Sequence, residues 1–453
     1  MTSGRLVTVG LDIGTSSVKA VAADDDGNVV ARARVPHSVR VPAPGRFEHD
    51  VDEAWRRGPR AALDLIRAEV GAEHVLGVNV AAMVPSLTAV DASGAPLLPG
   101  LLYGDERGRE RTAPGAESGQ EAGEFVAFLR WCAEHAPEAA GYWPAQAVAN
   151  HALGGAATID YSTASTTAPL FDFAGGWDAA VASAAGARVD QLPGLAMPGQ
   201  RIGSVGADGP ALAAGCIDAF AEQMMADARA VGDVLVILGT TLITWAVTES
   251  DTPVPGYWII PQGPGGAKLL GGPSNAGGMF VDWVARLLGD ATGPVDPGRV
   301  PVWAPYPRGE RAPLNDPDRR AVLADLELGH DAAAVRRAGF EASGFVIRRI
   351  LDAARDVHGT PPRRLVLTGG GTRVDDWVQA IADVTGLACD CVLVPEGAAL
   401  GSAFLARIAA GLEGPAALGE GSRWARTGRT VEPDPRFAGA VDDRYARFLD
   451  LSA

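Results

Sequence analysis

Three short stretches pair glycine with hydroxyl side chains directly after an apolar run: Gly14-Thr15-Ser16-Ser17, Gly239-Thr240-Thr241 and Gly369-Gly370-Gly371-Thr372. Glycine lets a ligand come close to the backbone, and consecutive N–H groups in such a turn form a concavity suited to an anion. The hydroxyls add donors for phosphate oxygens. Any one of these stretches reads first as an ordinary tight turn. Three in one chain, two of them in matched context, point to phosphate binding.

Two acids stand out because of their company. Asp12 directly precedes the first turn at the end of an apolar run. An unpaired buried charge is costly, so this carboxylate needs a partner. Mg²⁺ reached through water would supply one; a turn-capping Asp is the other reading. Lys19 is placed either to reach the same phosphates as a point charge or to sit solvated on its strand. Asp218 lies in Gly215-Cys216-Ile217-Asp218-Ala219-Phe220, at the start of a helical pattern. Apolar neighbours tune an acid for general-base work, and a helix start stabilises an acid through the dipole; locally the two readings stand even. Phe47-Glu48-His49-Asp50 and Gly104-Asp105-Glu106-Arg107 are polar clusters beside apolar runs, of the kind that recognises polyols and also of the kind found on surface loops.

The elements that must position these residues follow from periodicity. Leu6–Leu11, Val18–Ala23 and Val29–Val35 read as a β-meander, with Asp24-Asp25-Asp26-Gly27-Asn28 as a hairpin turn. Helical patterns cover Val51–Val70 and Glu121–Ala136, around a strand-like Val75–Val80. The run Asp233–Leu238, its turn and Leu242–Val247 repeat the opening grammar of strand, Gly-Thr turn and strand, which suggests a duplicated architecture. In the last third, Asp331 caps a long helix ending at Gly359, and Arg363–Thr368 is a strand. Asp375–Thr385 is a helix stopped by Gly386, Cys391–Val394 a strand, and Gly397 to about Ala410 a helix. This alternation indicates an α/β fold. Val254–Gly272 and Gly293–Pro307 read as surface excursions, and the tail after Gly411 shows no periodicity.

At 453 residues the chain exceeds the size at which one hydrophobic core stops growing, so two domains are expected, divided at 231/232. The best apolar stretch, Val234–Val247, is broken by Gly239-Thr240-Thr241 and is too short to span a bilayer. The first residues lack a basic segment followed by an apolar core, so a cytoplasmic location is expected, with no membrane partner. A formal net charge of −16 argues against a nucleic-acid partner, while leaving room for ATP, which arrives with Mg²⁺ and is held largely by backbone N–H groups. Four cysteines are too few for a disulfide scaffold, and Cys389 and Cys391 lack the companions of a metal site.

Read together, the motifs resemble the FGGY carbohydrate kinases, the group of xylulokinase, ribulokinase, gluconokinase and glycerol kinase, closest to the pentulose kinases. The likeness runs from about residue 6 to 412, with motifs in family order. Gly10–Lys19 is similar to the first phosphate motif, Phe47–Asp50 with Trp55 to the Glu-x-Asp segment, and Tyr103–Arg107 to the Trp-x-Asp-x-Arg segment that contacts sugar. Asp160–Ser165, Leu170-Phe171-Asp172 and Trp177-Asp178 follow, then Gly215–Ala219 at the family's catalytic Asp. Gly239-Thr240-Thr241 resembles the second phosphate motif; Gly271–Gly278 and Arg308–Pro313 also fit the pattern. Gly369–Thr372 with Trp377 and Asp383 is similar to the adenosine motif, and Glu396–Gly401 to the helix after it.

The resemblance implies a duplicated, actin-like (ribonuclease H-like) two-lobed α/β fold with ATP and sugar in the interlobe cleft. It implies transfer of one phosphoryl group from MgATP to a primary hydroxyl of a small ketose or polyol, a pentulose first among them. Residues 1–231 would bind sugar and carry the first phosphate motif and the base; residues 232–453 would bind ATP. Asp218 takes the role of base and also touches the sugar, and Asp12 holds Mg²⁺ through water. Gly14, Thr15, Ser16, Lys19, Gly239, Thr240, Thr241, Gly370, Gly371 and Thr372 meet the nucleotide. Asp105 and Arg107 contact sugar, as do Val84 and Pro85.

Departures concern the sugar. Val84-Pro85 stands where xylulokinases carry Met-His, Tyr103 where the sugar segment has Trp, Ile217 where Gly precedes the base, and Val374 where the adenosine motif has Ser or Asn. Val and Pro offer no side-chain donor, which puts D-xylulose in doubt. The rival readings are an actin-like ATPase, a hexokinase-type kinase and a non-catalytic sugar sensor. Asp160–Ser165 and the Asp105/Arg107 pair speak against the first two, the intact base and turns against the third. The oligomeric state is left open, a homodimer included.

Overall fold

The computed structural model describes residues 5–108, 124–261, 267–289, 291–394, 396–420 and 423–453. Two compact units emerge. The first contains Met1–Thr112, Gln120–Met225 and Glu396–Ala425; the second contains Ala226–Pro395 and Arg426–Ala453. The chain thus leaves the first unit near residue 225 and returns to it for Glu396–Ala425, where the sequence reading drew one break at 231/232.

The first unit is built on a sheet whose strands run in the order Arg201–Ser204, Ala211–Ala213, Val75–Ala82, Val7–Ile13, Ser17–Ala23, Val29–Pro36. Val7–Ile13 pairs antiparallel with Ser17–Ala23 and parallel with Val75–Ala82. Every residue of Val7–Ile13 is buried, as expected for a strand covered on both faces. One cover is the helix Gly58–Val70, which packs Leu63 and Ile66 inward. The other is the returning helix Gly397–Ala409, buried along nearly its whole length. Its backbone lies so close that a Cβ on Gly10 would overlap Ala399 and Ala403, and one on Gly77 would overlap Ala406. Glycine is required at both positions.

The second unit repeats the plan: Trp258–Pro261, Lys268–Ser274, Leu242–Thr248, Asp233–Leu238, Arg364–Thr368, Cys389–Val392, Thr427–Val431. From Lys268–Ser274 onward, order and strand sense match the first unit in reverse listing, with antiparallel pairs flanking a parallel centre. The duplicated grammar of the sequence is therefore a duplicated sheet. The 25-residue helix Ala332–Asp356 packs on it, capped by Asp331, whose side chain accepts the Ala334 N–H. Inside, Glu341 accepts from Arg337 and Arg444, and Asp383 accepts from Arg337.

Several expectations need correction. Val254–Gly272 is not a surface excursion, because it contributes Trp258–Pro261 and the start of Lys268–Ser274 to the sheet. Among its described residues Gly256, Gly271 and Gly272 are packing residues; a Cβ on Gly271 would overlap the Thr244 carbonyl. Gly293–Pro307 holds the strand Val302–Ala304. The tail is ordered as the edge strand Thr427–Val431 and the helix Ala438–Leu451. The helix expected over Glu121–Ala136 is Glu124–His135, and residues 121–123 lie outside the described residues. No described helix is long and apolar enough to cross a membrane.

Candidate active site

Three parallel strands of the first unit end side by side. Asp12 and Ile13 lie opposite Ala81 and Ala82, and on the other flank Cys216 and Ile217 pair with the same two residues. The chain then leaves these strands as Gly14–Ser17, Met83–Pro85 and Asp218. Carboxyl ends of parallel strands are where open α/β sheets bind ligands.

Antiparallel register sets Asp12 opposite Lys19, and the Lys19 ammonium stands 3.7 Å from Asp12 Oδ2. Burial raises the Asp12 carboxyl above its ordinary value, against the pull of Lys19. The turn closes with the Gly14 N–H on the Ser17 carbonyl at 3.1 Å, leaving Thr15 and Ser16 exposed.

Asp218 starts the helix Asp218–Ala226, half-buried, with Oδ1 accepting the Ala219 N–H at 2.7 Å. Burial pushes its carboxyl up to about 7, and the negative charges of Asp12 and Glu222 push the same way. A set of buried amides fixes the strand leading to it. Asn79 donates to Ser402 Oγ at 2.9 Å and accepts the Gly215 N–H at 2.9 Å. Gln146 donates to the carbonyls of Ala82 and Cys216, and Asn150 to those of Thr158 and Ala214. Ser162 donates to Asp160 and accepts the Ile217 N–H at 3.4 Å. Asp160 is fully buried, and its carboxyl is pushed up to about 6 by burial even though Ser162 and Thr163 donate to it. Gly401 lets the helix Gly397–Ala409 touch the backbone of Ala221 behind Asp218.

Beside this edge lies a small sheet that includes Glu48–His49, Gly100–Leu102 and Ser86–Val90. Asp105 is fully buried; its carboxylate takes a fork from Arg107 at 2.9 and 2.7 Å and also the Phe47 N–H. Arg107 makes a second ion pair with Glu48 at 2.9 Å and lies over the Trp131 ring. Asp105 therefore shapes the loop and orients Arg107. Val84 is half-buried and Pro85 buried, directly after the central strand.

In the second unit, Leu238 pairs with Leu242, so Gly239-Thr240-Thr241 is the whole turn. Its carbonyls are engaged by the start of the helix Gly278–Leu288: the Gly278 N–H donates to Gly239 and the Met279 N–H to Thr240. Gly277 and Gly278 make that approach possible, since a Cβ on Gly277 would lie 2.5 Å from the Thr241 carbonyl carbon. Glu310 holds the segment before the helix, accepting from Ser274 Oγ and the N–H groups of Asn275 and Arg311. Burial pushes the Glu310 carboxyl up to about 7.

The third turn ends the neighbouring parallel strand Arg364–Thr368, so it lies beside the second. Gly371 packs against Leu238 and Trp377, and the Thr372 hydroxyl bonds the Gly369 carbonyl at 2.8 Å. Gly370, by contrast, is exposed and faces open space.

The residues singled out from sequence thus fall into three groups, one of them Asp105 and Arg107 beside the small sheet. Asp12, Gly14–Ser16, Lys19, Val84, Pro85 and Asp218 share one sheet edge of the first unit; Gly239–Thr241 and Gly370–Thr372 share one of the second. Asn79, Gln146 and Asn150 were missed, while His49 and Glu310 were named only within longer segments, with no role of their own. An Asn inside the apolar run Val75–Ala82 was the one available signal. Among the described residues no cluster of three or more His, Cys, Asp or Glu forms a metal cage.

Residues 7–215 match the N-terminal domain, and residues 235–410 the C-terminal domain, of the FGGY family of carbohydrate kinases. The chain is 28% identical to a xylulose kinase of Escherichia coli (strain K12), over 89% of this chain and 90% of that one. It is 29% identical to a xylulose kinase of Streptomyces rubiginosus, over 97% and 96%. A gluconate kinase structure from Lactobacillus acidophilus superposes with a TM-score of 0.85 at 20% identity, over 99% of this chain and 98% of that one.

Proposed function

The chain belongs to the FGGY family of carbohydrate kinases, and from that premise we propose that Asp218 is the base that lets a small ketose or polyol take a phosphoryl group from MgATP. The observation that carries this reading is the pairing of two acids, Asp12 and Asp218, at strand ends on either side of Ala81 and Ala82, with Lys19 beside the first.

Phosphoryl transfer asks a protein mainly for positioning and charge neutralisation. The Asp218 carboxylate accepts the proton of a primary hydroxyl as its oxygen bonds to the terminal phosphorus and the bond to ADP breaks. A carboxyl poised near 7 is suited to that exchange at neutral pH. The buried amides behind it hold the carboxylate where the hydroxyl must arrive, which is the larger share of the work.

The Gly14–Ser16 turn and Lys19 meet phosphate oxygens. In the second unit, Gly239–Thr241 meets phosphate and Gly370–Thr372 the nucleoside end. Asp12 fits an Mg²⁺ ion approached through water, since it is a buried carboxylate paired only loosely with Lys19 at 3.7 Å. When bound, that ion neutralises phosphate charge.

On the acceptor side, Arg107, aimed by Asp105 and Glu48, is the hydroxyl-binding group. Val84 and Pro85 line the wall with no side-chain donor, which favours a sugar that leaves that wall dry. A pentulose is the first acceptor to try, D-xylulose not first among them. The test is ADP release with MgATP across ketopentoses of both hands, tetruloses, aldonates, polyols and glycerol. One strong responder is expected. Nucleotide binding with no response to any acceptor would overturn the kinase mechanism in favour of a sensor.

A further inference from the structure

The first turn is held by side chains that lie outside the turn itself. His49 is fully buried and makes two hydrogen bonds, to Trp55 Nε1 at 3.0 Å through Nδ1 and to the Thr15 carbonyl at 2.9 Å through Nε2. Indole nitrogen only donates, so Nδ1 must be the acceptor and the ring proton sits on Nε2. That proton points at the Thr15 carbonyl. Burial holds the imidazole down at about 4, so it stays neutral with this one tautomer.

Two further carbonyls of the turn are engaged as well. Ser16 accepts the His37 N–H and Ser17 the Gly14 N–H, each at 3.1 Å. The Thr15 hydroxyl meets the Tyr103 hydroxyl at 2.7 Å. Both props grow from the same small sheet, because Glu48 and His49 pair with Leu101 and Gly100, and Tyr103 follows that strand. A carbonyl left to swing toward a phosphate would repel it; one tied back leaves the N–H side of the turn facing the anion.

We propose that His49 is the positioning residue of the first turn: its Nε2–H ties back the Thr15 carbonyl so that the turn presents N–H groups to nucleotide phosphates, while Tyr103 fixes the same residue's side chain. The proposal rests on the reading of this turn as a phosphate site. It also makes the sheet that carries Glu48 and Arg107 the support of that turn.

The test is titration of MgADP by calorimetry, with steady-state constants, on the wild type and on His49→Phe, His49→Gln and Tyr103→Phe. The Phe variant loses the donor and should bind MgADP about tenfold more weakly, the scale of one hydrogen bond, with KM for MgATP rising in step. The Gln variant restores an N–H at similar reach and should recover most of that loss, which a packing role would not predict. Equal affinity in folded His49→Phe and wild type overturns the proposal, as does a Gln variant no better than Phe. Should His49→Phe fail to fold, Tyr103→Phe decides: binding weakened about threefold supports the clamp, and unchanged binding overturns it. A wild type that binds no MgADP would instead sink the phosphate reading itself.

Discussion

The two strand–turn–strand units that open each sheet share strand sense, with four residues between the last paired residues in the first and three in the second, and their turns are propped by different means. Gly14–Ser17 is held by side chains, with His49 on the Thr15 carbonyl and Tyr103 on its hydroxyl. Gly239–Thr241 is held by backbone, with the helix start at Gly278 and Met279 donating to its carbonyls. The first arrangement needs particular functional groups delivered from another sheet; the second needs only the absence of side chains at Gly277 and Gly278. The two acids singled out divide the same way, since Asp12 lies on a strand of the first sheet and Asp218 directly follows another. On the proposed reading, one repeated plan would support two kinds of work: acid–base chemistry where side chains crowd in, backbone binding where they are kept out.

The sharpest way to break that division is Asp218→Asn. Removing the base while keeping its shape should lower kcat by about 10²- to 10⁴-fold, with MgADP affinity nearly unchanged by calorimetry. A variant that keeps wild-type turnover would end the claim that the first unit does the proton chemistry. In the wild type, kcat/KM should climb as pH rises through about 7, because the protonated carboxyl cannot accept a proton. A profile flat from pH 5 to 8 would remove Asp218 as the titrating base.

The same raised value has the opposite sign for stability. The folded state holds its proton above the ordinary carboxylate value of 3.8, so the contribution is present at acid pH and is lost as pH rises through about 7. Glu310, raised to about 7 from 4.5, acts in the same direction in the second unit. Melting of the free protein across pH 5 to 8 should therefore show Asp218→Asn flattening the slope that the wild type has.

Next in size is Gly277→Ala. Its methyl would meet the Leu242 nitrogen and lie 2.5 Å from the Thr241 carbonyl carbon, both backbone atoms that cannot swing aside. A loss of about 1–3 kcal/mol is expected from overpacking, read as a lower melting temperature. Nucleotide affinity should fall with it, because the turn moves. Wild-type stability would mean the helix start is not what fixes the second turn.

Much of this was legible in the sequence, for reasons that differ by element. The paired turns showed because a Gly-hydroxyl stretch after an apolar run is a local signal, as were the Asp331 cap and the Gly386 stop. Lys268–Ser274 was misread because Gly271-Gly272-Pro273 looks like a loop, when the glycine is there for backbone contact with Thr244. The last helix hid its face because Arg444 sits among Val441, Tyr445 and Phe448, buried only by virtue of Glu341 far away in sequence. Asp12 and Asp218 could be picked out as acids in apolar company. The groups that aim them could not, since Asn79, Gln146, Asn150 and His49 bond atoms from segments whose proximity only the fold creates.

The smallest expected change is also the most even-handed test of the two turns. Gly14 and Gly239 both have ordinary backbone angles, and a Cβ on each would meet one carbonyl oxygen of its own turn, Ser17 at 3.4 Å and Thr241 at 3.3 Å. The fold therefore tolerates alanine at either site; stability should shift by less than about 1 kcal/mol, with reduced unfolded-state freedom offsetting any crowding. What glycine leaves at these positions is room for a ligand to lie against the backbone. Gly14→Ala and Gly239→Ala should each weaken MgADP binding several-fold at an unchanged melting temperature. A loss confined to one variant would assign the phosphates to that turn alone, and the two strand–turn–strand units would then share geometry without sharing a ligand.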